Sequence, residues 1–339
     1  MNTAVMNSTG VDKAAGPGIM SASWFTSLVT VLLLAVLLAA GGAAYDGFLS
    51  GQVMLNLLID NAHLLVIAVG MGYVILAGGI DLSVGSVLAL TTMIAAWLLN
   101  AGWHPLAVIA IVLAFGAVFG AFQGALIHYF QLQPFIVTLA GMFLARGLCY
   151  LISIESITIE DPLFVAASQT QIPVFSTSFG GFVSPSAAIA LAVLAVAIWA
   201  SRRTAFGRAV YAIGGNEQSA LMMGLDVART KIGVYAFSGF CAALGGVLFA
   251  FYMLSGYGQH AQGTELDAIA AVVIGGTLLT GGYGYVAGAL SGVLVLGTIQ
   301  TLIAFDGTLS SWWTKIVIGG LLFLFCVVQR LLSVRSQQS

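Results

Sequence analysis

"AHLLVIAVGMGYVILAGGIDLSVGSVLALTTMIAAWLL", residues 62–99, decides the fold class of this chain. The stretch is apolar except for "GGIDLSVGS" at 78–86, where Asp81 is its one Asp, Glu, Lys or Arg, accompanied by Ser83, Ser86 and the glycines 78, 79 and 85. A helix needs about 20 apolar residues to cross a ~30 Å hydrocarbon layer. The run is long enough for two crossings joined by a glycine-rich interruption.

The rest of the chain repeats this pattern. Of its 339 residues 60% are hydrophobic and 6% charged, against roughly one quarter charged in a soluble domain. Membrane barrels alternate in segments of about ten residues. The runs here are continuous, so the backbone must close its hydrogen bonds within each segment. The fold expected is an all-α integral membrane protein of about ten transmembrane helices, at 24–44, 55–77, 84–99, 106–128, 135–153, 185–200, 232–254, 268–280, 285–304 and 312–332. Counts of eight to eleven fit the same pattern. Residues 1–23 read as a cytoplasmic tail, 24–332 as the transmembrane domain and 333–339 as a second tail. The apolar run from Trp24 to Tyr45 exceeds a signal-peptide core of about 7–15 residues and reads as a retained span.

Half of the ten basic residues, Arg202, Arg203, Arg208, Arg229 and Lys231, fall in the one loop at 201–231. The positive-inside rule makes that loop cytoplasmic, and with it both termini. The outward loop, 153–184, carries Glu155, Glu160 and Asp161 and no Lys or Arg. Asn7-Ser8-Thr9 matches a glycosylation acceptor but falls on the cytoplasmic side of this topology.

A shift of 203 residues lays Gly72 on Gly275, Leu76 on Leu279, Gly78 and Gly79 on Gly281 and Gly282, and Gly85 on Gly288. Such an internal duplication, with glycine-interrupted apolar segments at corresponding places, points to a transport route, because a broken helix offers free N–H and C=O groups to a solute. Inverted five-span repeats would set the motifs five spans apart, whereas this segmentation gives six. One short span is therefore expected to be a re-entrant half-helix.

Asp81, Ser83 and Ser86 either line or brace the route of a hydroxyl-rich solute, or form a tight hairpin in which Asp81 caps a helix starting near Leu82. With Gly78, Gly79, Gly281 and Gly282 they make up the candidate translocation site. In the basic loop, Asn216 follows Gly214 and Gly215 and can cap a short helix carrying Ala220, Leu221, Met222 and Met223 and stopping at Gly224. Adaptable Met side chains on a short helix suit docking into a partner's groove; a solvated loop is the bland alternative. Glu265 and Asp267 read as helix N-terminal charges or as pathway groups. Arg146 lies mid-span, where it snorkels or pairs with a carboxylate. Trp312-Trp313 reads as an interface belt rather than a sugar-stacking platform.

Several classes fall away. A net charge of −2 leaves no basic stripe for nucleic acid. The four histidines share no metal spacing, the three cysteines no pairing logic, and neither a nucleophile elbow nor a catalytic triad pattern is visible. "TGGYG" at 280–284 resembles a potassium filter by all but one residue, but its duplicated copy lacks Tyr-Gly. Lys13, Lys231 and Lys315 precede Ala, Ile and Ile, so no phosphate-binding GxxxxGK[ST] loop exists. If ATP drives this chain, another subunit binds it.

With those residues in view, the sequence resembles the permeases of bacterial ABC sugar importers of the ribose/galactose type, most of all the galactofuranose permeases. The matching stretches are "NAHLLVIAVGMGYVILAGGIDLSVGSV" from Asn61, "PFIVTLAGMFLARGLCYLIS" from Pro134, "FGRAVYAIGGNEQSALMMGLDV" from Phe206, "ELDAIAAVVIGGTLLTGGYG" from Glu265 and "FDGTLSSWWTKI" from Phe305. The resemblance implies an inner-membrane importer with a partner ATPase that holds ATP and Mg, a second related permease forming a heterodimer, and a periplasmic sugar-binding protein. It assigns Gly78 to Ser86 to the translocation core and Ala212 to Gly224 to the segment that meets the ATPase. No cofactor is expected in this chain. An ion-coupled secondary transporter using Asp81, and a purely structural role, are the competing readings.

Overall fold

The computed structural model describes residues 17–174, 181–310 and 312–338, and for 17–27 and 328–338 the backbone alone. Most of the expected N-terminal tail, including Lys13 and Asn7-Ser8-Thr9, lies outside the described residues, as do positions 175–180 of the outward loop.

Helix α1 (Pro17–Ala44) is followed by α2 (Gly51–Asp60) and α3 (Ala62–Leu76), then α4 (Val84–Asn100), α5 (Pro105–Tyr129) and α6 (Pro134–Ile152). The outward loop is partly built: β1 (Ile157–Thr158), α7 (Pro162–Gln169), β2 (Ile172–Pro173) and β3 (Phe182–Val183) lead to α8 (Pro185–Arg203). Next come α9 (Ala205–Gly215), α10 (Glu217–Met222), α11 (Val227–Met253), β4 (Ser255–Gly256), α12 (Thr264–Ile274), α13 (Gly288–Asp306) and α14 (Trp312–Gln338). The protein is all-α apart from these two-residue strands. Pro17, Pro105, Pro134, Pro162 and Pro185 each open a helix, where the missing N–H is no loss.

Two expectations change. The span 55–77 is a helix pair that starts at Gly51 and bends by 54° at Asn61, whose amide donates to Leu57 O instead of continuing the helix. The span 268–280 is α12, 11 residues long, which reaches only about 16 Å, too short to cross a hydrocarbon layer alone. Residues 333–338 continue α14. Among the described residues five helices are long and apolar enough to cross a membrane, six with the bent pair, and α1, α4 and α14 contain shorter apolar runs.

Helix α11 is the axle of the bundle. Its most apolar window is 78% buried, against 22% for α5. Small residues let the neighbouring backbones close on it: a Cβ at Gly120 of α5 would overlap Tyr235 O, and one at Gly70 of α3 would stand 2.8 Å from Cys241 Cβ. Cys149 and Cys241 are buried and Cys326 is partly so; all three are free thiols.

The turns sort onto two faces. On one, Tyr45 donates to Asp306 at 3.1 Å, β1 pairs antiparallel with β4, and Gln52 bonds Phe182 through both backbone polar atoms. On the other lie the α3–α4 turn, the end of α9 and the α12–α13 turn.

Candidate functional site

The α3–α4 turn begins at Gly78, whose φ of +82° is open to glycine at no steric cost. Asp81 Oδ1 accepts the Ser83 N–H at 3.0 Å and the Ser83 hydroxyl at 2.6 Å. Its Oδ2 accepts the Ser238 hydroxyl of α11 at 2.7 Å. Gln123 of α5 donates to Ser83 Oγ at 3.1 Å and Ser86 to Ser83 O at 2.7 Å, while the Thr138 hydroxyl of α6, 2.9 Å from Pro134 O on its own helix, is shared with Ile80 O at 3.3 Å. Every side chain in this set is buried; Asp81 is 1% exposed.

The helix after the turn starts at Val84, as the span 84–99 expects, but Ser83 rather than Asp81 holds its N-cap position. Asp81 therefore acts one step earlier: it clamps the turn and ties it to α11. A buried carboxylate persists only with such donors. The sequence reading passed over Gln123, Thr138 and Ser238. Polar residues inside otherwise apolar spans were the available signal.

The second break repeats the first. Gly281 has φ +83°, 203 residues after Gly78, and α13 opens at Gly288 much as α4 opens beside Gly85. Gly284 stands where Asp81 would recur, so the second copy has no carboxylate clamp. The two breaks touch: Gly282 N–H donates to Leu76 O at 2.9 Å. Helices α3 and α12 run the same way, since Gly72 faces Val272 while Leu76 bonds Gly282.

A third glycine pair closes the contact. Much of the basic loop is the helix α9, which the sequence reading did not foresee, and α9 ends on Gly214 and Gly215. A Cβ on Gly214 would overlap Leu76 O and lie 2.6 Å from Gly282 N. One on Gly282 would lie 2.6 Å from Gly215 Cα, and one on Gly281 2.8 Å from Gly78 Cα. Residues expected in two separate sites thus form one backbone-to-backbone knot. Tyr211 of α9 adds a hydrogen bond to Gly284 O at 3.0 Å.

Beyond the knot, Asn216 accepts the Ser219 N–H at 2.8 Å and caps α10, and Gly224 ends the turn at φ +79°. Ala220 is buried with Ile213 and Val227, which points Leu221, Met222 and Met223 outward; Met222 is 87% exposed. Lys231 pairs with Glu217 at 2.7 Å and Arg229 with Asp226 at 3.1 Å.

Arg146 makes no ion pair among the described residues. Its Nη1 donates to Gly258 O at 2.7 Å and His260 O at 2.8 Å, holding the segment that leads into α12. Glu265 and Asp267 lie in the first turn of α12. Asp267 pairs with Lys315 at 2.7 Å, whereas Glu265 Oε2 is buried without a hydrogen-bond partner, close against Gly85. Trp312 and Trp313 are exposed, and His104 caps α5 through Leu106 N–H.

Residues 53–326 match the family model described as "Branched-chain amino acid transport system / permease component". The chain is 50% identical over 291 residues to the inner membrane ABC transporter permease protein YjfF of Escherichia coli K12, covering 86% of this chain and 87% of that one. It is 39% identical to the fructose import permease protein FruG of Bifidobacterium longum, over 90% of each chain. It is 38% identical to the ribose import permease protein RbsC of Bacillus subtilis, over 83% of this chain and 85% of that one. No solved structure matches.

Proposed function

Because the chain belongs to this family of transport-system permease components, we propose that it is the membrane permease subunit of an ATP-driven importer for a monosaccharide. The family description names branched-chain amino acids, but the relatives at 38–39% identity are named for ribose and fructose, which favours a sugar. The sequence resemblance narrows this to galactofuranose or a related sugar. The partners are an ABC ATPase that supplies the nucleotide site this chain lacks, a second related permease in a heterodimer, and a periplasmic sugar-binding protein. The site is a bacterial inner membrane, with both termini in the cytoplasm.

The observation that carries the reading is the glycine knot. Helix α10 presents exposed Leu and Met to the surface, and α9 connects it without slack to both helix breaks. ATPase closure on α10 would press Gly214 and Gly215 against Leu76 and Gly282, so that the two breaks move together and alternate access to the route beside them. Asp81, Ser83 and Ser86 keep the first break in shape. Both oxygens of Asp81 are occupied by Ser83 and Ser238, which disfavours the ion-coupled reading.

The test is replacement of 216–224 by a Gly/Ser linker in the full chain, scored by ATPase co-purification and by uptake of labelled galactofuranose, ribose and fructose. The native chain should take up galactofuranose best, and the linker variant should lose both the ATPase and uptake. Retention of both would overturn the coupling role, and a preference for ribose would overturn the choice of sugar alone.

A further inference from the structure

Between α8, α9, α11 and α3 lies a groove of about 400 Å³, lined only by Tyr, Phe and aliphatic side chains. One wall is a single stripe of α8: Ile189, Val193, Val196 and Ala200, spaced so that they share a helix face. Phe206 of α9 and Phe240 of α11 form the other side. Tyr73 of α3 also lines it, and its hydroxyl is satisfied by Ala197 O at 2.7 Å, so it has no polar need for water. The groove opens at the surface, where Val196 is 63% exposed. From Ile189 to Ala200 the stripe is about 16 Å long, roughly one leaflet of a ~30 Å hydrocarbon layer.

Charge marks one end. Arg203 lies three residues past Ala200 on the same stripe, and Arg202 beside it closes α8. Arg208 donates to Arg203 O at 3.4 Å, which brings a third guanidinium to the same end. Of the five basic residues from Arg202 to Lys231, Arg229 and Lys231 have carboxylate partners. Arg202, Arg203 and Arg208 have none among the described residues. A dry groove one leaflet deep, ending at three arginines without acidic partners, has the chemistry of a lipid tail beneath an anionic headgroup.

We propose that this groove binds one anionic phospholipid, with an acyl chain along α8 and the phosphate end held by Arg202, Arg203 and Arg208. The inference requires only that the arginine end of α8 reaches a bilayer surface, so it stands or falls apart from the sugar-import reading. The tail would pack on Tyr73 and Phe206, which stack on each other with centroids 6.2 Å apart. Tyr73 lies in the last turn of α3, and Phe206 opens α9, whose far end carries Gly214, so an occupied groove would brace the two helices that lead into the knot.

The full chain, in nanodiscs of phosphatidylcholine with a minor share of phosphatidylglycerol, is extracted mildly and its retained lipid read by native mass spectrometry. Phosphatidylglycerol should be enriched at least about fivefold over its share, the worth of one of the three arginines near an anionic surface. Replacing the three arginines with Gln together should remove the enrichment. So should Ala192→Trp, which fills the exposed side of the groove with every arginine intact. Persistence of the enrichment in Ala192→Trp would overturn the proposal, because surface charge alone would then explain it; so would equal retention of both lipids by the native chain. A check on the native chain needs no variant: inorganic phosphate should not displace the lipid, and displacement would rule out a tail-bound ligand. Loss of the lipid when a second protein chain co-purifies on this face would assign the groove to that chain instead.

Discussion

At the scale of single residues, Gly214 and Asp81 carry the sharpest consequences. A methyl group at Gly214 overlaps the Leu76 carbonyl, and neither partner is a flexible side chain that could swing away. Gly214→Ala should therefore separate α9 from the breaks, destabilising the chain by about 1–3 kcal/mol through overpacking and lowering uptake while leaving ATPase binding by α10 intact. Pull-down beside uptake checks this, and equal loss of both would mean that the whole loop had unfolded. Asp81 serves three donors, so Asp81→Ala strands Ser83 and Ser238 groups in a buried site at about 1–3 kcal/mol each. Asn can still accept at one oxygen and donate to Ser238 Oγ. Thermal unfolding should thus drop far more for Asp81→Ala than for Asp81→Asn. An ion-coupling carboxylate would behave differently, with Asp81→Asn abolishing uptake at unchanged stability. The presence of Asp81 in a glycine-rich interruption was legible in the sequence. So was its neighbour Ser83, but the donor Ser238, 157 residues from Asp81, and Gln123, which bonds Ser83 from 40 residues away, were not, because no local pattern links them.

At the scale of elements, α5 meets α11 through Gly116, Gly120 and Gly124, a spacing of four that lines one helix face. At Gly120 the opposing backbone is so close that any side chain must push the helices apart. Gly120→Leu should cost more than a single core overpacking of about 3 kcal/mol, seen as loss of the monodisperse peak in size-exclusion chromatography. The same change at Val118, which is 68% exposed, should leave the peak in place. Helix starts were readable because proline and capping residues act locally, as at Pro105, Pro134, Pro185 and Asn216. The short reach of α12 was legible, since 268–280 was the shortest span expected; the 54° bend at Asn61 was not, because the apolar run resumes by Leu64 and the local sequence does not fix the angle between the two helices. Helix α9 was missed for a related reason: it is amphipathic and packed on its neighbours, with Ala209, Val210 and Ile213 buried, so its stability comes from tertiary contacts more than from propensity.

At the scale of the whole molecule, the two faces of turns set the orientation to be tested. With both termini cytoplasmic, Met222→Cys should react with a membrane-impermeant maleimide only after the inner face is exposed, and Glu155→Cys should react in intact cells; the reverse pattern would invert the topology. Both positions are exposed, so burial does not confound the labelling. The sequence by itself determined the class of protein, the all-helical backbone and the two glycine-rich places where helices break. These follow from properties each segment carries alone: an apolar run cannot leave its peptide groups unpaired in hydrocarbon, and glycine frees the chain wherever it stands. Only the tertiary structure decided that the three glycine pairs meet, that Asp81 is clamped by α11, and that Arg146 holds the approach to α12. Those contacts join residues far apart in the chain, and what selects them is close packing in three dimensions, a property of no single segment.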